Sequence, residues 1–398
     1  MSSVCFYFQV HQPMRLRRYG IFDIGKDSNY FDEESKSNLN NKFIIEKVSK
    51  KCYLPTNQVL LDLIKKHPEF KVSFSLSGVF IEQLEKYAPE TLDSFKRLVD
   101  TGNVELLSET YYHTLSFLYS KKEFKEQVLL HKDKINQVFG VTPSVFRNTE
   151  LIYNNDVVKE VEEMGFKGIL AEGVDRILGW RNSNFIYKPE GTEKIKLLLK
   201  NYRLSDDIAF RFSSKDWSEY PLTAEKFSNW VNDVNGNGEV INLFMDYETF
   251  GEHQWEDTGI FNFLRHLPEE VYKNKDNDFV TVSEAIDRYE PKDTLDVPHY
   301  ISWADVERNL SAWLENDMQR DAAKKLYELE SKVFSSGNNK IIEDWRRLQT
   351  SDHFYYMCTK WWNDGDVHKY FNPYESPYDA FITFINVLND LKLRLINN

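Results

Sequence analysis

Three cysteines in 398 residues, Cys5, Cys52 and Cys358, are too few and too scattered for a disulfide framework, and no two form a CxxC pair. That excludes a small secreted scaffold stapled by disulfides and predicts a reducing, cytoplasmic setting. No run approaches the roughly 18 apolar residues of a membrane span. Residues 1–13 pass into a strand-like stretch without the basic start and long apolar core of a leader. Positive charge is also short: 50 Lys and Arg stand against 63 Asp and Glu, a net charge of −13. A surface of that sign disfavours nucleic acid, whose phosphates need basic patches, and anionic membranes. It leaves a neutral polymer open.

What is plentiful is aromatic side chain, with 22 Tyr, 28 Phe and 9 Trp. Aromatic faces stack on the apolar faces of sugar rings, which suits a carbohydrate cleft, although most of these residues are better read as core. Short β-branched or aromatic runs alternate with amphipathic stretches over the first three-quarters, the pattern of an α/β fold with a parallel sheet. The runs are residues 4–10, 72–76, 104–107, 144–146, 168–171, 195–199 and 240–245, with 208–212 and 279–282 as two more candidates. Stretches 57–66, 81–100, 121–139, 155–164 and 223–234 read as helices, and the polar segment 26–41 as an exposed loop. From about Pro291 the pattern turns helical, over 305–334, 341–363 and 377–396, with 363–376 as a loop. The expectation is a (β/α) barrel of seven or eight strands in residues 1–290, with a helical bundle packed on it in residues 291–398.

Two carboxylates fall where apolar runs stop. Glu150 follows Val145 and Phe146, and Asp246 follows the run from Val240 to Met245. In a barrel of parallel strands, residues just past the strand C-termini line the active site. Two acids delivered there from separate strands are the equipment of a retaining glycosidase, a nucleophile and a general acid about 5–5.5 Å apart. His11 and Gln12 end the first run at the same rim. Glu105 sits inside a run, where an ionised carboxylate is costly unless paired or facing a polar cavity, and Glu109 and His113 follow it. Asp246, Glu248, Glu252 and His253 lie within eight residues, with Gly251 permitting a sharp turn. Asp, Glu and His are also metal ligands, so a metal-dependent carbohydrate deacetylase or hydrolase using His11, Asp246 and His253 is a competing reading. Asp352 and His353 sit among aromatics in the helical region, where Asp352 either closes over the barrel mouth or caps a helix.

Five segments, around His11-Gln12-Pro13, Gly102-Asn103-Val104-Glu105, Glu150, Asp246–Gly251 and Ser351-Asp352-His353, in this order and spacing, resemble the five sequence regions of glycoside hydrolase family 57. The match is closest to its α-amylase group and runs from His11 to Asp352. The resemblance implies a (β/α)7 barrel with a C-terminal helical bundle, and a retaining mechanism on α-1,4-glucans without a required metal or cofactor. It makes Glu150 the nucleophile and Asp246 the general acid/base, with His11, Glu105 and Asp352 around the bound sugar. Gln12, His113, Arg147, Glu248, His253 and His353 complete the expected substrate-binding set. Two positions depart from other branches of the family, which often carry Trp where this chain has Arg147 and His253. A 4-α-glucanotransferase or branching enzyme shares the same first half-reaction, and a non-catalytic glucan-binding protein is the remaining alternative.

Overall fold

The computed structural model describes residues 2–31, 39–360 and 372–397. Parts of two expected loops, 26–41 and 363–376, and the end of the expected helix 341–363 lie outside the described residues.

Among the described residues, ten strands form two sheets. They are β1 (Ser2–Val10), β2 (Val72–Leu76), β3 (Val104–Leu106), β4 (Val145–Arg147), β5 (Gly168–Glu172), β6 (Ile186–Pro189), β7 (Lys196–Lys200), β8 (Val240–Asp246), β9 (Asn277–Phe279) and β10 (Thr294–Leu295). One sheet runs β3-β2-β1-β8, with β9 also paired to β1, and the other runs β10-β6-β7-β5-β4. The sheets meet at two seams. At one, Asn242 Nδ2 donates to the Leu199 carbonyl at 2.9 Å and Asn201 N donates to the Asn242 carbonyl at 2.9 Å. At the other, Ser108 bridges Phe146 in parallel sense. Seven strands therefore ring the interior in the order β4-β5-β7-β8-β1-β2-β3, a (β/α)7-type barrel made of two sheets rather than one continuous ladder.

Strand β1 shows why the sequence builds a barrel. All nine of its residues are buried, so it reads as a continuous apolar run. Its side chains still alternate. Val4, Phe6, Phe8 and Val10 pack outward into the core shared with the surrounding helices, whereas Cys5 and Tyr7 point into the barrel with Val145, Leu170, Leu198 and Phe244. Burying each such Phe is worth about 1.5–3 kcal/mol. Farther up, Gln9 continues the inward row and makes the interior polar as it approaches the mouth.

The structure corrects several expected elements. The stretch 81–100 is two helices, Gly78–Tyr87 and Pro89–Val99. Pro89 has no N–H to continue the ladder and pushes Ala88 out of helical geometry, to φ −148° and ψ 61°. Residues 208–212 are not a strand: Asp207–Arg211 forms a helical turn closed by an ion pair between its first and last residues. Segment 305–334 breaks into Ser311–Leu314, Asp317–Tyr327 and Glu330–Ser335, because Asn316 and Gln319 form a reciprocal cap that starts a new helix. Strands β6 and β10 and the helices Asn41–Val48, Ile260–Tyr272 and Val282–Arg288 are additional. Segment 26–31 is not simply exposed either, since Tyr30 is buried and donates to Asp390 at 2.6 Å.

The C-terminal helices close on the mouth of the barrel. Trp313, Leu326, Trp345, Phe354 and Phe384 share one core with Met14 and Tyr111 from the barrel's upper loops and with Val79 from the first turn of the helix Gly78–Tyr87. Two short antiparallel bridges, Thr114 with Thr350 and Tyr153 with Ile301, stitch the two parts together. Among the described residues, no helix is long and apolar enough to cross a membrane.

Candidate active site

A cleft of about 920 Å³ opens at the C-terminal ends of the strands. His11 reaches it from the end of β1, Glu150 from the end of β4, Lys200 from β7, Asp246 from β8, and Asp352 from the helical region. The acids expected from separate strands thus line one cavity.

Glu150 sits in a single turn, Thr149–Leu151, with φ 57° and ψ 25°. Leu151 and His113 are also left-handed, at φ 50° and 55°. Non-glycine residues held there cost of the order of 1–3 kcal/mol each, and such strain clusters at functional sites. Both Glu150 oxygens are held. His113 Nε2 lies 3.2 Å from Oε1, Ser351 Oγ donates to Oε1 at 3.3 Å, and Trp303 Nε1 donates to Oε2 at 2.7 Å. Burial alone would raise the Glu150 carboxyl. The hydrogen bond and charge of His113, with Arg147 behind, more than offset it and hold the group below the usual carboxylate range.

His113 bridges two carboxylates, with Nδ1 2.8 Å from Glu109 and Nε2 facing Glu150. Burial disfavours its charge, but these two partners push it up to about 9, so it is imidazolium at neutral pH. Glu109 is driven down to about 2, since His113 overcomes the opposing effect of burial. Against His113, at 4.1 Å between ring centres and 18° between planes, stacks His11. His11 joins Ser77 at 2.6 Å to Asp352 at 3.1 Å. Burial and the neighbouring His113 charge lower its pKa. A neutral ring donating through Nε2 to an ionised Asp352 fits those contacts. For Asp352, burial is outweighed by His11, His113 and Arg15, so its carboxyl stays far below the usual range.

Asp246 is treated oppositely. Burial, and then the Glu150 charge, push it up to about 6. Burial and Asp246 push Glu248 up to about 8. Glu248 Oε1 accepts from Tyr53 at 2.5 Å and from Gln12 at 3.3 Å. Between those two pKa values the pair therefore carries one proton, while the Glu150 carboxylate across from it carries none. The loop after β8 folds tightly here. Gly251 has φ 112°, and a Cβ on it would lie 2.1 Å from the Lys51 carbonyl.

Of the expected substrate-binding residues, His11, Gln12, His113, Glu248, His253 and Asp352 line the cleft. Asp352 is no cap, because the helix Ser351–Tyr355 starts after Thr350 and its carboxylate reaches His11 instead. Three others do not reach the cavity. Glu105 points to the opposite end of the barrel, where its carboxylate takes bonds from Ser73 Oγ and from the backbone N–H and hydroxyl of Ser283. His353 turns away and packs its ring on Phe384. Arg147 is wholly buried and lies 4.8 Å from the Trp303 ring centre. Residues not singled out from sequence include Gln9, which donates to Glu109 at 3.0 Å, and Trp303, Ser351 and Lys200. Lys200 ends an apolar run at a strand terminus, the signal that picked out Glu150 and Asp246. Trp303 carries no such signal. Among the described residues, no group of three or more His, Cys, Asp or Glu side chains converges so as to hold a metal ion.

The sequence model of glycosyl hydrolase family 57 matches residues 5–298. Over 402 aligned residues the chain is 46% identical to a protein of Methanocaldococcus jannaschii named "Putative alpha-amylase", covering 98% of this chain and 84% of that one. It is 24% identical to the alpha-amylase of Pyrococcus abyssi over 64% of this chain, but spans only 38% of that longer protein. Among solved structures, the 4-alpha-glucanotransferase of Thermococcus litoralis superposes with a TM-score of 0.66 at 18% identity, covering 89% of this chain and 56% of that one. The branching enzyme of Pyrococcus horikoshii gives 0.67 at 15%, covering 89% and 85%. At such identities the likeness of structure establishes the fold.

Proposed function

The chain belongs to glycosyl hydrolase family 57, and from that membership we propose that it is a retaining, α-amylase-like hydrolase of α-1,4-glucans. Glu150 is the nucleophile and Asp246 the general acid/base. The observation that carries this reading is the opposite treatment of two acids in one cleft, Glu150 held ionised by His113 and Asp246 pushed up to about 6 by burial and Glu150.

In the first step a Glu150 oxygen bonds to the anomeric carbon as the glycosidic bond breaks, and Asp246 gives its proton to the departing oxygen. In the second, Asp246 takes a proton from water, whose oxygen bonds to the anomeric carbon and frees Glu150. Imidazolium at His113 keeps Glu150 from taking the proton meant for the leaving group. Asp352, through His11, is placed to hold sugar hydroxyls. On this reading residues 291–398 complete the site of the 1–290 barrel rather than form a separable module, since Trp303, Ser351 and Asp352 all come from them.

Relatives named 4-alpha-glucanotransferase support a second reading that differs only in the acceptor, a sugar hydroxyl in place of water. The test of the roles is Glu150→Ala with maltooligosaccharides. Turnover should vanish, and added azide should restore cleavage by filling the emptied face of the sugar. Rescue of Asp246→Ala instead, with none for Glu150→Ala, would reverse the assignment. Products longer than the substrate from the unaltered enzyme would favour transfer.

A further inference from the structure

A tryptophan from outside the barrel strands makes two contacts with the same glutamate. Trp303 donates its backbone N–H to the Glu150 carbonyl at 3.2 Å and its indole N–H to Glu150 Oε2 at 2.7 Å. Oε1 is occupied by His113 and Ser351. The Trp303 bond is therefore what fixes the second oxygen and with it the plane of the carboxylate.

The loop carrying Trp303 is clipped in place. Arg176 donates to the carbonyls of Glu307 and Arg308 at 3.0 Å each. Arg308 lies 2.9 Å from the Glu172 carboxylate at the end of β5, and its guanidinium sits 4.0 Å from the Tyr202 ring centre. Two cations lie against the indole itself, Arg147 at 4.8 Å and Lys200 at 5.5 Å from its centre. Lys200 has acidic partners in Asp206 at 3.0 Å and Glu172 at 3.6 Å. Among the described residues Arg147 has none: it is fully buried and none of its three guanidinium nitrogens has a hydrogen-bond partner. Burying a cation this way is costly, so it is retained only where fields around it compensate. The compensation visible here is the indole face and the surrounding charges. The Arg147 charge acts on Tyr7 from β1, Glu109 beyond β3, Glu150 beyond β4 and Asp246 at the end of β8, and cationic Lys200 shares the indole with it.

We propose that Trp303 and Arg147 are positioning residues for the nucleophile: Trp303 orients the Glu150 carboxylate, and the buried Arg147 guanidinium seats the indole that does so. This rests on Glu150 being the nucleophile. The Arg147 charge acts on both acids at once, as that of His113 does. It lowers the pKa of Glu150 and of Asp246 alike.

Three variants test it, each checked for folding by circular dichroism, with kcat, KM and the pH profile of kcat/KM measured on a maltooligosaccharide. Trp303→Phe keeps the ring and loses the N–H. It should lower kcat by on the order of ten- to a hundredfold with KM little changed, as expected when a reacting group is misplaced. Arg147→Met removes the guanidinium that seats the indole, so kcat should fall as in Trp303→Phe, and the lost charge should also move both limbs of the profile to higher pH. Arg147→Lys should keep the limbs in place and lower kcat, because an ammonium cannot lie flat on the indole. A folded Trp303→Phe with normal kcat overturns the orienting role. A folded Arg147→Met with normal kcat, or, should that variant not fold, an Arg147→Lys with unchanged kcat, overturns the role of Arg147. Azide rescue of Glu150→Ala separates the two levels. If rescue succeeds while these variants behave as wild type, this inference alone falls. If rescue fails, the nucleophile assignment falls and takes the inference with it.

Discussion

The floor and the mouth of the barrel each bury a carboxylate from the same short stretch of chain, and they handle it in contrary ways. At the floor, Glu105 takes its hydrogen bonds from neutral donors, the hydroxyls of Ser73 and Ser283 and one backbone N–H, and the Lys167 charge acts on it only weakly. Burial wins there and its pKa rises. Four residues on, at the mouth, Glu109 meets imidazolium, and the cation wins over the same burial. Neutral donors suffice to make a buried acid part of the scaffold. Keeping a buried acid ionised, and through His113 keeping Glu150 ionised too, takes a formal charge. That difference separates structure from chemistry within one strand and its loop.

The sharpest way to break the contrast is to remove the cation. His113→Gln leaves Glu109 and Glu150 buried without it. The variant should lose at least about a hundredfold in kcat/KM, by kinetics, and about 3–5 kcal/mol of stability, by urea unfolding. Near-wild-type values in both would mean that the imidazolium is not what holds the mouth. Next in size, Asp352→Asn keeps a polar side chain beside His11 and discards the charge. We expect kcat to fall about tenfold, with melting within a few degrees of wild type. A variant that melts early but retains kcat would make Asp352 a structural residue. The smallest effect belongs to the floor. Glu105→Gln should leave activity unchanged and cost about 1 kcal/mol, in line with exchanging one buried hydrogen-bonding group for another. A large loss of activity from Glu105→Gln would dissolve the distinction.

How far this was legible from sequence follows from particular residues. Acids at the ends of apolar runs gave Glu150 and Asp246, because a parallel strand's terminus is a location the chain itself encodes. The same rule applied evenly would also have given Glu172 and Lys200. Glu105 misled because alternation says which face a side chain takes and not which end of the barrel it reaches. His353 misled for a related reason: adjacent helical residues point about 100° apart, so Asp352 facing the cleft turns His353 toward Phe384. Trp303 was out of reach, since only the folded loop brings it to Glu150 across 153 residues. The helix breaks at Pro89 and Asn316 were local signals that periodicity overrode.

The most direct measurement is the configuration of the first product. With unaltered enzyme and a maltooligosaccharide, proton NMR in the first minutes reads the new reducing end before it mutarotates. A nucleophile at Glu150 and a double displacement predict the α anomer first, with β appearing only as equilibration proceeds. A β anomer appearing first would mean that water attacks directly, and that Glu150 does not form a bond to the sugar.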